Sequence, residues 1–148
     1  MLNKYQKIIW EITWITALVI LLALVRGFES QLFYDPFLDY FKKDFNSLAL
    51  PYFDVDQLFL GLLFRYAINM ILSLAILYVI FKEIEMIQFL SILYGFFFFL
   101  LIISFFIVLT YASEYKEILF YIRRFLIQPI FLILFIPAFY YQKKGNKK

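Results

Sequence analysis

The chain has 148 residues, of which 65% are hydrophobic and 24% aromatic, and its mean hydropathy is +0.84, whereas a soluble domain is closer to half apolar. The formal charge is +3, and neither cysteine nor histidine occurs. That absence excludes disulfides, thiolate nucleophiles, imidazole bases and nearly every zinc or haem ligand set, so no metal or cofactor is expected.

Such a composition predicts an all-α, polytopic membrane protein. At about 20 apolar residues per crossing, four transmembrane helices fill one integral-membrane domain spanning 1–148. Lys4 and Lys7 precede the first apolar run, Ile8–Val25, which is interrupted by Glu11, Thr13 and Thr16. It reads as an uncleaved anchor, because Ala23-Leu24-Val25 lacks the small-x-small pattern of a signal-peptide cleavage site. The further predicted spans are 58–81, 87–110 and 125–141, the last carrying Pro129 and Pro137. Helices are expected because lipid leaves unpaired backbone groups unsatisfied, and runs of this length exceed what a barrel strand requires. The Phe96–Phe99 run reads as bulk for packing or lipid contact within the third span.

The connection 26–57 is abruptly polar and carries the acids Glu29, Asp35, Asp39, Asp44, Asp54 and Asp56. Asp35-Pro36 is a helix-start signal, since an aspartate accepts from first-turn amides and proline is tolerated at the first helical position. From there Phe37, Leu38, Phe41, Phe45 and Leu48 recur at helical spacing. They predict an amphipathic helix in the membrane interface, aromatic face down, ended by Pro51. Asp54 or Asp56 is placed to cap the second span.

The Lys/Arg balance favours, by a narrow margin, an inside location for both termini, and the 26–57 loop is then outside. The basic tail Lys143-Lys144-Gly145-Asn146-Lys147-Lys148 marks topology; no nucleic-acid partner is expected. Trp10, Trp14, Tyr111, Tyr115, Tyr140 and Tyr141 fall near span ends, as belts at the lipid headgroups do. Glu114, Lys116, Glu117, Arg123 and Arg124 read as solvated charge, the two arginines also being suited to lipid phosphate.

Arg65 is the most informative residue. A charge inside a span costs a few kcal/mol on insertion scales unless it snorkels or is paired. Asn69 and Ser73 follow at i+4 and i+8, which makes one polar stripe that must face protein. Glu29 and Asp35 are the expected partners of Arg65, and Arg26 to Glu29 is a further pair if the first helix continues that far. Glu11, near the other end of its helix, is a poorer partner. Internal pairing and a partner- or ligand-binding role both fit these residues.

Arg26-x-x-Glu29-x-x-Leu32-Phe33-Tyr34-Asp35-Pro36, then Leu50-Pro51, then Phe64-Arg65-Tyr66-x-x-Asn69-x-x-x-Ser73 form a set. In this set the chain resembles the small membrane proteins called exosortase F system-associated proteins. The likeness covers the first two helices and their loop. Exosortases are thought to process sorting signals at the outer face of the bacterial inner membrane with Cys, Arg and His chemistry. A chain without Cys or His is not that enzyme. The resemblance therefore implies a non-catalytic accessory subunit of a protein-sorting system in the inner membrane, with no catalytic residues assigned. Its partner- or ligand-binding candidates are Arg26, Glu29, Tyr34, Asp35, Arg65, Asn69 and Ser73, and its expected partners are membrane lipids and an exosortase or sorted substrate. The alternative is a subunit that binds or transports a lipid headgroup or small solute. An enzyme acting on lipid-linked material through Glu29 and Asp35 ranks behind both, and no GxxxxGK[ST], GxGxxG or HExxH motif supports it.

Overall fold

A computed structural model describes residues 1–146; Lys147 and Lys148 of the basic tail lie outside the described residues. Seven helices run in chain order: α1 (Lys4–Gly27), α2 (Glu29–Leu32), α3 (Phe37–Lys42), α4 (Val55–Phe81), α5 (Ile84–Tyr111), α6 (Lys116–Ile127) and α7 (Ile130–Asn146). No strand occurs among the described residues. Helices α1, α4 and α5 are each long and apolar enough to cross a membrane, and α6 with α7 passes the same test as a pair bent by 63°.

The surface is unlike that of a soluble protein. Ile9, Ile12, Ile20, Leu24, Ile71, Ile92, Phe99 and Ile133 are exposed, whereas Arg65, Asn69, Ser73 and Arg123 are buried. Polar atoms turned inward beneath an apolar surface are what a hydrocarbon solvent selects. Helix α1 has no buried residue and packs on one side only, against α4. The Phe96–Phe99 run divides by helical period: Phe98 is buried beside Tyr66 and Phe97 stacks on Phe131 at 4.9 Å, while Phe96 and Phe99 face outward. The six belt aromatics are all exposed.

The start of α1 and the end of α7 lie at one end of the bundle. There Glu11 of α1 pairs with Lys82, and Lys143 of α7 reaches Glu83 at 3.3 Å and donates to the Phe81 carbonyl at 3.2 Å. Lys82 closes α4 in the left-handed conformation, φ 56°, a place that ordinarily favours glycine. Seventeen residues of α4 separate Lys82 from Arg65, a rise of about 25 Å at 1.5 Å per residue. The 28–54 loop and the α5–α6 connection lie at the far end.

Three expectations are corrected. The helix that starts after Pro36 ends at Lys42, well before Leu48. Beyond it the carbonyls that would continue a helix are turned elsewhere. Phe45 and Leu48 accept from the Tyr40 hydroxyl at 3.1 and 3.3 Å, and Lys116 of α6 donates to Phe45 at 3.1 Å. Its aromatic face does not lie toward lipid: Phe37, Leu38, Tyr40 and Phe41 are buried, Phe37 against Phe105 of α5 and Phe41 against Phe120 of α6. The segment expected as one helix over 125–141 is broken. Gln128 is extended (φ −111°, ψ 146°), as a residue before proline prefers, and Phe125–Ile127 belong to α6 rather than to the helix that follows. Pro137, in contrast, is accommodated inside α7.

Candidate functional site

Four charged side chains from three parts of the chain meet at the loop end of the bundle. Arg65 of α4 pairs with Glu29 through Nη2 and faces Asp35 Oδ2 with Nη1 at 3.5 Å. Arg123 of α6 pairs with the same Asp35 oxygen. Arg65 is 2% and Arg123 5% exposed, and the side chains of Asp35 and Glu29 are 3% and 14% exposed. Two cations and two anions leave the group formally neutral, the condition for burying charge.

Local structure explains how each carboxylate gets there. Phe28 separates α1 from the single turn α2 that carries Glu29, so Glu29 turns toward α4 instead of continuing along α1. The expected Arg26–Glu29 pair is therefore not formed, and Arg26 makes no ion pair among the described residues. Asp35 divides its oxygens: Oδ1 accepts from the Phe37 amide at 3.1 Å, as a helix-start aspartate does, and Oδ2 serves the arginines. Each guanidinium also lies 5.7 Å from the centroid of a loop aromatic ring, Arg65 over Phe33 and Arg123 over Phe41. Such cation–π contacts add about 0.5–2 kcal/mol when desolvated. Arg65 Nη1 and Arg123 Nε have no hydrogen bond of good geometry, because two carboxylates cannot serve ten guanidinium donors.

The stripe continues down α4. Asn69 Nδ2 donates to the Ile127 carbonyl at 2.9 Å. Ile127 is the last residue of α6, where the Pro129 break leaves a carbonyl without an intrahelical donor. The side chain thus satisfies an orphan acceptor across two helices. Ser73 is fully buried, yet its hydroxyl finds no hydrogen-bond partner of good geometry. The stripe faces protein as expected, and Asn69 bonds across helices whereas Ser73 does not.

Tyr34 acts on the loop itself. Its hydroxyl accepts from the Asp54 amide at 3.2 Å, and Asp54 in turn caps α4 by accepting from Asp56 and Gln57 at 3.0 and 3.3 Å. The Tyr34 carbonyl lies over Gly61, where an added Cβ would come within 2.6 Å of that oxygen. Glycine here lets the loop backbone lie directly on the span. Glu11, the poorer candidate, is occupied by Lys82 at the opposite end.

Arg123 is the residue that sequence reasoning placed wrongly. It sits in a charged stretch that reads as solvated, but it follows Leu119 by four and precedes Leu126 and Ile127 by three and four, and all four are buried. A cation centred in the apolar stripe of an amphipathic helix is the signal that identifies it. Arg124, one position on, is exposed and bonds only Gln128 within its own chain segment, at 3.1 Å.

No protein-family model, curated protein or solved structure matches this chain.

Proposed function

We propose that this chain is a non-catalytic accessory subunit of a membrane protein-sorting system of the exosortase type. In this reading α6 and α7 form a broken fourth span. Both termini are cytoplasmic in the bacterial inner membrane, and the loop 28–54 is held rigidly at the outer face. The observation that carries the reading is that Glu29, Asp35, Arg65 and Arg123 are paired with one another, with both arginines buried. Groups so occupied fix the shape of a surface, and a fixed loop favours docking of a partner by reducing what must be ordered on binding. With a hydrocarbon core of about 30 Å, the rise of about 25 Å from Lys82 sets Arg65 just beneath the outer boundary, level with a membrane-borne sorting signal.

The rival readings have less support. A solute or headgroup bound directly by Arg65 requires access to a side chain that is 2% exposed. An enzyme built on Glu29 and Asp35 requires free carboxylates, and these two converge on one guanidinium as its counterions. Co-purification tests the reading. Extraction of the tagged full chain from native membranes in mild detergent is expected to recover an exosortase or a sorted protein, and loop substitutions such as Tyr52→Ala, at an exposed side chain, to weaken recovery. Recovery of the chain alone, repeated after cross-linking in intact cells, would contradict it.

A further inference from the structure

Beside the buried ion cluster the surface opens into a basin of about 260 Å³. Its rim carries Arg26 from the end of α1, Lys42 from the end of α3 and Arg124 from α6, and Arg123 and Glu29 form part of its wall. The charges of the wall residues are already matched, Glu29 by Arg65 and Arg123 by Asp35. Arg26 and Lys42 make no ion pair among the described residues, and Arg124 only meets the neutral Gln128 amide. Three cations from separate elements thus converge on one hollow without a counterion. The remaining wall includes the apolar Leu38, Phe41, Phe120 and Ile127 together with the Gln128 amide.

We propose that this basin binds a phosphate-bearing anion, held by Arg26, Lys42 and Arg124. Three unmatched positive charges exceed what a single carboxylate neutralises, and two arginine forks suit phosphate oxygens. Arg26 is the penultimate residue of an apolar span, so the hollow lies where the chain leaves the apolar layer, at headgroup height. The aromatic and aliphatic wall matches the apolar part of an amphipathic molecule. The same phosphate chemistry is offered by a lipid headgroup and by a soluble polyphosphate. The inference does not depend on any protein partner, and lipid retention is read separately from co-purification of a protein.

The test uses the purified full chain in neutral detergent, with cardiolipin followed by native mass spectrometry and inorganic pyrophosphate by thermal-shift titration. Wild type is expected to bind at least one probe. Each basic residue near an anionic surface contributes about fivefold, so Arg26→Gln, Lys42→Gln and Arg124→Gln combined should lower affinity on the order of a hundredfold. The combination Lys4→Gln, Lys7→Gln and Lys144→Gln, equal in charge but at the opposite end, should retain binding. Cardiolipin binding alone identifies the lipid source, and pyrophosphate binding alone the soluble one. Should the triple variant fold poorly, Lys42→Gln by itself, exposed at the end of α3, is expected to lose about fivefold. Binding of neither probe by wild type, or equal loss in both combined variants, would overturn the proposal.

Discussion

Asp35 and Arg123 stand 88 positions apart in the chain and are joined through the carboxylate oxygen that also faces Arg65. One loop aspartate therefore ties α4 and α6 to the 28–54 segment. The loop is built into the end of the bundle.

Adjacent arginines in α6 are expected to behave differently. Arg123→Ala leaves Asp35 with only the longer Arg65 contact, and breaking a buried pair by removing one partner typically costs about 3–5 kcal/mol. Arg124→Ala, on the exposed side, should change stability by no more than about 0.5 kcal/mol. Unfolding of both variants in mixed micelles distinguishes them, and equal effects would refute the assignment of Arg123 to the cluster.

The difference between Arg123 and Arg124 also marks where the sequence was legible and where it was not. Three spans follow from run length alone, because an apolar run too long for a barrel strand satisfies its backbone in lipid as a helix, and α1, α4 and α5 each contain the expected run. Arg65 with Glu29 and Asp35 was legible because a charge within a span demands a partner at its own depth. Arg123 was not, since the -Arg-Arg- pair in a polar connection resembles solvated charge until α6 is recognised as an amphipathic helix. The Pro129 break lies within an apolar run interrupted only by Gln128, and hydropathy does not register a lost amide donor. The early end of α3 depends on Lys116 and Tyr40 reaching loop carbonyls, a tertiary effect that local periodicity does not contain.

Asn69 and Pro129 are expected to be coupled. Asn69→Leu leaves the Ile127 carbonyl unsatisfied, at a cost of about 1–3 kcal/mol. In a Pro129→Ala background the helix can regain its ladder, so the same Asn69→Leu change should cost less. Spin labels at the exposed Tyr121 and Tyr140, introduced as cysteines into a chain that has none, report the bend. The distance between them should lengthen when Pro129 is replaced, and an unchanged distance would show that proline does not cause the 63° break.

Gly61 is expected to tolerate no side chain without moving the loop. Gly61→Ala places a methyl group against the Tyr34 carbonyl, and overpacking of this kind costs typically about 1–3 kcal/mol. Limited trypsin digestion at Lys42 and Lys43 should accelerate in this variant. An unaltered cleavage rate would mean that the loop does not rest on α4 at this point.

The arrangement of the two ends predicts opposite accessibility. Of single cysteines at Asp39 and Gly145, both exposed, a membrane-impermeant maleimide should label Asp39→Cys from outside in intact cells and Gly145→Cys only after the membrane is permeabilised. Labelling of both from one side would contradict the paired termini and the loop-end cluster together.

The loop is held to α4 most directly by Glu29 folding back onto Arg65, and a double-mutant cycle measures that contact. Stabilities of wild type, Glu29→Gln, Arg65→Gln and the combined variant, obtained by reversible denaturation in mixed micelles, should give a coupling of about 1–3 kcal/mol, with the combined variant less damaged than the sum of the single changes. Additivity within about 0.5 kcal/mol would mean that the two side chains do not meet, and the latch that holds the loop would have to be abandoned.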